Sequence, residues 1–162
     1  MMIWRVAVDL KEILVQGRNY SWPRPDHCLR CRNWCVWGHG YVHRYFDGFI
    51  DALLMKCYRC PGCGCVMTLR PDSHFPRIRS SRKTIYFHLS GRLTHGLWCV
   101  STLARSRLRH WLKNLRRQVH VTLTNYWGDG LLAGFEELLR RDLIPVARVN
   151  QSGNPPTIAA PQ

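Results

Sequence analysis

Cys28-Leu29-Arg30-Cys31 and Tyr58-Arg59-Cys60-Pro61-Gly62-Cys63-Gly64 are the stretches on which the reading of this sequence turns. Each brings two thiols together on a tight turn, and four thiolates are the soft, tetrahedral donor set that zinc prefers. Gly62 and Gly64 free the backbone around the second pair. The interval between the pairs is longer than in the shortest four-cysteine sites, but it fits one hairpin whose two ends return to the metal. These spacings predict a β-rich zinc ribbon over residues 20–71, with Cys28, Cys31, Cys60 and Cys63 holding a structural Zn2+.

Eight cysteines compete for those four places, so the register stays open. Cys57 makes an alternative pair with Cys60, Cys35 follows the first pair, and Cys65 follows the second. Pro61-Gly62 suits a metal knuckle better than the bulky Tyr58-Arg59, which favours Cys60 with Cys63 and leaves Cys57 as runner-up ligand. Cys99, beside Trp98 in an apolar run, reads as a small buried hydrophobe. An open zinc site using His27, His39 or His43 is the alternative to a closed structural one. A deaminase-type centre needs a His-x-Glu element, and the only glutamates, Glu12, Glu136 and Glu137, stand in no such context.

Within the ribbon, Val36 to Val42 and Tyr45 to Ile50 read as hairpin strands between glycines. Upstream, Tyr20-Ser21-Trp22-Pro23-Arg24-Pro25 leads in as an extended linker. In residues 1–19 the spacing of Ile3, Ala7, Leu10 and Leu14, with Gly17 as a stop, predicts a helix, while Val6-Ala7-Val8 also suits a short strand.

Downstream the character changes, because no Asp or Glu occurs between Asp72 and Asp129. Residues 72–125 are expected to form a basic, helix-turn-helix-like region. Ser80 or Ser81 can cap a helix containing Ile85, Leu89 and Leu93, weakened by Gly91 and broken at Gly96. A clearer helix carries the stripe Leu108, Trp111, Leu112, Leu115 and Val119, with Arg105, Arg107, Arg109, Lys113, Arg116 and Arg117 at the other positions. Ser101 to Lys113 can serve as the turn and the recognition helix. The candidate nucleic-acid contacts are Arg79, Arg82, Lys83, Arg105, Arg107, Arg109, His110, Lys113, Arg116 and Arg117. In residues 126–149 a last helix is expected from Asp129 as cap to about Leu143, stopped by Pro145, and residues 150–162 read as a disordered tail. The fold class expected is α+β.

Lys and Arg number 24 against 10 Asp and Glu, a formal net charge of +14, and such an excess calls for a polyanion. DNA is the first choice and RNA the second. No stretch approaches the roughly 20 apolar residues of a spanning helix, so no membrane role is expected. Asp9, Lys11 and Glu12 make Met1 to Val15 a poor signal peptide, which points to the cytoplasm, where thiols stay reduced and free for metal.

Tyr20 to Pro25, the Cys28 and Cys31 pair, Trp37-Gly38-His39-Gly40, Arg44-Tyr45-Phe46-Asp47-Gly48, Tyr58 to Gly64 and Leu69-Arg70-Pro71 together resemble a known family. It is the zinc-ribbon amino-terminal region of bacterial insertion-sequence transposases and their small stand-alone relatives. The resemblance spans about residues 18–120 and is most specific in the ribbon. It implies zinc at Cys28, Cys31, Cys60 and Cys63, a helix-turn-helix after the ribbon, and DNA as ligand. In full-length members a catalytic domain with metal-binding carboxylates follows. Beyond the basic half this sequence offers only Asp129, Glu136, Glu137 and Asp142, so strand cleavage is not expected of it and it reads as no enzyme. The alternative from another class is a protein-binding adaptor or accessory subunit of a transposition or transcription complex.

Overall fold

In the strand Leu53-Leu54-Met55-Lys56-Cys57-Tyr58-Arg59, Leu53, Met55 and Cys57 share one face of the pleat and are buried, while Leu54 and Lys56 between them are half-buried. In the computed structural model, which describes residues 2–124 and 128–149, this strand is one of four in a single sheet. The strands are β1 (Met2–Val6), β2 (Trp37–Arg44), β3 (Leu53–Arg59) and β4 (Val66–Pro71), in the order β1-β4-β3-β2. β3 pairs antiparallel with both β2 and β4, whereas β1 joins β4 in parallel, pairing Met2 with Met67 and Val6 with Pro71. The helices are α1 (Leu10–Gln16), α2 (Arg82–His95), α3 (Arg105–Thr122) and α4 (Gly130–Arg140). The fold is α+β and divides into two units, the first through Ser81 and the second from Arg82. Among the described residues no helix is long and apolar enough to cross a membrane.

The first segment is not one helix. Met2 to Val6 pairs with β4, and α1 begins only after Asp9, whose carboxylate accepts from Lys11 N at 2.7 Å. Sequence spacing misled because Ile3 and Ala7 belong to the strand and its exit, while Ile13 alone of α1 is buried. Gly17, at φ 56°, ends the helix as expected.

Tyr45 to Ile50 is also corrected: it forms the connection from β2 to β3 and not a strand. Gly48 sits at φ 92°, which turns the chain, and Phe46 plugs the core at 2% exposure. Asp47 N donates to Arg79 O, so this segment pairs with the loop after β4 instead of with β2.

Two apolar clusters fill the first unit. Val6, Val36, Tyr58, Met67 and Leu69 pack with Cys28, Cys60 and Cys65, and Ile13, Phe46, Leu53 and Met55 form the second cluster.

The second unit packs three helices around Ile85, Leu89, Leu108, Trp111, Leu115, Phe135 and Leu138. Asn114 Nδ2 donates to Val146 O at 2.8 Å and Gln118 Nε2 to Ala147 O at 3.3 Å, which fastens the segment after α4 to α3. α4 stops at Arg140, short of the expected Leu143. Asp142 at φ 55° and the bonds Asp142 N to Leu139 O and Leu143 N to Leu138 O close it in a Schellman motif. Asp129 occupies the N-cap position, but its side chain makes no capping bond. The hydroxyl of Ser80 donates to Asp47 Oδ2 and so is not committed to capping α2. Gly91 has a packing role that its helix propensity hides: a Cβ there would collide with Cys99 Sγ. The expected tail of residues 150–162 lies outside the described residues.

Candidate metal centre

The two cysteine pairs sit on two turns of the same construction. In the first, Cys28 N donates to Asn33 O at 2.8 Å and Arg32 N to Cys28 O at 2.9 Å. In the second, Cys60 N donates to Cys65 O at 2.9 Å and Gly64 N to Cys60 O at 3.0 Å. The residue after each second cysteine is left-handed, Arg32 at φ 60° and Gly64 at φ 67°. This repeated turn folds each pair of thiols toward one point. Asn33 joins the turns: its Oδ1 accepts from Cys35 N at 2.8 Å, and its amide lies where a Cβ on Gly62 would have to go.

The result is a cluster in which the sulfurs of Cys28, Cys31, Cys60 and Cys63 all lie within 4.8 Å of one another. Cys28 and Cys63 approach to 3.6 Å, and Cys31 and Cys60 to 3.5 Å. A zinc ion with Zn–S bonds of about 2.3 Å has tetrahedral S···S edges of about 3.8 Å, so these thiols stand close to the spacing a zinc ion would impose. Soft donors, count and spacing make the cluster compatible with zinc. Arg30 N points at Cys28 Sγ from 3.4 Å, the kind of N–H contact that stabilises a thiolate.

The electrostatics of the four thiols are uneven. Burial opposes ionisation of Cys28, but backbone N–H groups of Cys31 and Arg30 and the thiols of Cys63 and Cys31 outweigh it, lowering its pKa to about 7. At Cys31 the Asn33 N–H favours the thiolate. The neighbouring sulfurs of Cys63, Cys60 and Cys28, together with desolvation, outweigh it and push its pKa up to about 12. Four thiolates cannot stand this close without a cation among them.

The remaining cysteines are placed elsewhere. Cys57 is buried on β3 with its sulfur 3.4 Å from Thr68 Oγ1, and the cluster takes Cys60 with Cys63. Cys35 accepts from Trp37 Nε1 at 3.0 Å, Cys65 is buried with its thiol pushed up by burial, and Cys99 packs against α2. None of His27, His39 and His43 joins the sulfur cluster. His27 instead meets Arg32 at 2.9 Å and the Trp34 ring edge-on.

No family model, curated protein or solved structure matches this chain.

The basic residues divide between the two units. On α3, Leu108, Trp111, Leu112, Leu115 and Val119 are buried, and Arg105, Arg109, His110, Lys113, Arg116 and Arg117 are exposed. Arg107 and Arg82 are half-buried, and Lys83 is exposed near the start of α2. Arg79 belongs to the first unit, where its guanidinium lies 5.3 Å from the centre of the Tyr45 ring. Sequence reasoning missed Arg44, Arg70 and Arg77, which line a cavity with Arg79. They come from separate segments, so no periodicity links them; only the density of arginine around residues 70–82 hinted at the cluster.

Proposed function

We propose that this chain is a zinc-dependent DNA-binding protein, related to the transposase zinc ribbons, that acts in the cytoplasm by binding and not by catalysis. Zinc at Cys28, Cys31, Cys60 and Cys63 holds the first unit together, with a binding free energy on the order of 10 kcal/mol. The observation that carries the DNA reading is α3. Its apolar stripe faces the helical core, and Arg105, Arg109, Lys113, Arg116 and Arg117 form an exposed cationic face with no acidic residue in the helix. Such a face neutralises phosphates and suits a groove. Gly96 to Ala104 join α2 to α3, a longer connection than the tight turn of the usual motif, so the proposal is for a helix-turn-helix-like unit with α3 as its reading helix.

Metal content of the purified protein, with duplex binding followed against salt before and after chelation, tests the reading. About one zinc per chain and an affinity falling with a log–log slope of about −4 to −5 are expected if α3 neutralises five or so phosphates. Absence of zinc overturns the metal assignment. Bound zinc without duplex affinity overturns the DNA assignment. A second reading, a protein-binding adaptor, is favoured by Trp34 and Trp37, which are 79% and 60% exposed on the cysteine-bearing unit. Partner binding that survives high salt without nucleic acid distinguishes it.

A further inference from the structure

The first unit contains a cavity of about 580 Å3 lined by Ile3 of β1, His43 and Arg44 of β2 with Tyr45 just after it, Thr68, Leu69 and Arg70 of β4, and Arg77 and Arg79 of the following loop. Four of its nine lining residues are arginines and none is acidic. Among the described residues, no carboxylate reaches ion-pair distance of Arg44, Arg70, Arg77 or Arg79.

Arg70 shows why this is more than a charged surface. It is only 9% exposed, yet among the described residues no carboxylate pairs with it. Nη2 donates to Ile78 O at 2.9 Å and the Phe46 ring lies 5.8 Å away, but Nε is buried without a hydrogen-bond partner. Burial, and then the charge of Arg44, hold its pKa below the usual arginine value. A buried cation beside a second cation is a costly arrangement that an arriving anion relieves. The loop supplying the other arginines is fixed: Arg79 O accepts from Asp47 N at 3.1 Å, and Arg79 stacks over Tyr45. Arg77 is held at φ 62°, a conformation that an arginine adopts at a cost and a glycine would not.

We propose that this cavity binds the phosphate of a nucleotide, with the guanidiniums of Arg44, Arg70, Arg77 and Arg79 as its cradle. Guanidinium forks match phosphate oxygens in geometry as well as charge. The volume exceeds what a bare phosphate fills, Ile3 supplies apolar wall, and the exposed Tyr45 ring offers a base the face that Arg79 does not cover. The nucleotide can be free or part of a single strand, and both carry the same phosphate chemistry. The site is confined to the first unit and does not depend on α3 reading a duplex.

The test titrates the zinc-loaded full chain with adenosine monophosphate, with adenosine, and with a short oligothymidylate lacking terminal phosphates. The Arg77→Gly, Arg79→Gln double variant is compared with the wild type. A free-nucleotide site binds adenosine monophosphate at least about tenfold more tightly than adenosine, the factor that about 1.4 kcal/mol corresponds to. A strand site instead binds the oligothymidylate about tenfold more tightly than either. In both cases the double variant loses about tenfold while melting at or above the wild-type temperature, because Arg77→Gly relieves the left-handed residue. A Lys113→Gln, Arg116→Gln, Arg117→Gln variant keeps this binding even as it loses any duplex affinity, so the two readings fail separately. Equal affinity for nucleotide, nucleoside and strand, or affinities that the double variant leaves unchanged, overturns the proposal.

Discussion

In the first unit the fully buried side chains include Cys28 and Cys60, packed with Val6, Val36, Met67 and Leu69, whereas in the second they are Ile85, Leu89, Leu108, Leu115 and Leu138. The same degree of burial has opposite consequences. A buried leucine contributes by leaving water, about 1.5–3 kcal/mol each. A buried thiol whose pKa is lowered to about 7 brings negative charge into the interior near neutral pH, and contributes only if a cation meets it. The first unit is thus expected to be conditional on metal, and the second to be held by packing alone.

Removing the metal gives the largest expected effect and is the most direct way to break this comparison. Chelation, or Cys60→Ser, should cost the first unit most of the roughly 10 kcal/mol of zinc binding. Amide protection should then be lost across β3 and β4 and kept across α3. Loss of protection in both units at once would show that the second does not stand on its own packing. Zinc affinity should also weaken as pH falls through about 7, because Cys28 then takes up a proton that the metal must displace. The Cys31 proton, with its pKa pushed up to about 12, is displaced throughout the neutral range, so zinc binding at pH 7 should release protons measurable in calorimetry.

Gly91 offers the corresponding test in the second unit. Gly91→Ala would raise helix propensity by about 1 kcal/mol, but the added methyl meets Cys99 Sγ. We expect a net destabilisation of about 1–2 kcal/mol in denaturant melts, the usual scale for overpacking. In a Cys99→Ala background the collision partner is gone and the same substitution should stabilise. If its sign does not change between the two backgrounds, the close approach of α2 to the segment carrying Cys99 is not what fixes glycine there.

These contrasts also separate what was legible in the sequence from what was not. The cysteine cluster was legible because spacing within each turn is local: Cys28 with Cys31, and Cys60 with Cys63, carry their geometry in a few residues. The inward stripe of α3 was legible for the same reason. The parallel pairing of Met2–Val6 with Val66–Pro71 was not, because it joins segments far apart in the chain and leaves no periodic mark. Gly91 looked like a weakness because local propensity counts against it, while the contact that explains it is tertiary. Tyr45 to Ile50 had the composition of a strand, but Gly48 turns it and Phe46 anchors it.

A smaller effect concerns His88, 2% exposed on α2, whose Nδ1 has no hydrogen-bond partner among the described residues. Burial lowers its pKa, so the folded unit holds it neutral. Its contribution is therefore complete above the unfolded histidine value of about 6.5 and is lost as pH falls below it. Unfolding of the second unit should grow easier from pH 7 to pH 5, by at most about 1.4 kcal/mol per pH unit for one proton. His88→Leu should flatten that dependence without touching the zinc-dependent one.

The smallest effect lies between the two cysteine turns. They share their hydrogen bonds, yet the left-handed position after the second cysteine is Gly64 in one and Arg32 in the other. A side chain at that conformation costs about 1 kcal/mol, which Gly64 avoids and Arg32 carries. Arg32→Gly should therefore stabilise the metal-bound first unit by about 0.5–1 kcal/mol, while Gly64→Ala should cost about 1 kcal/mol. Because folding of this unit and metal binding are linked, both shifts should appear as zinc affinity, about twofold to fivefold in opposite directions. Protection of α3 should not move in either variant. If Arg32→Gly weakens zinc binding, the arginine does more at that turn than occupy a strained position, and the likeness of the two turns ends at their backbones.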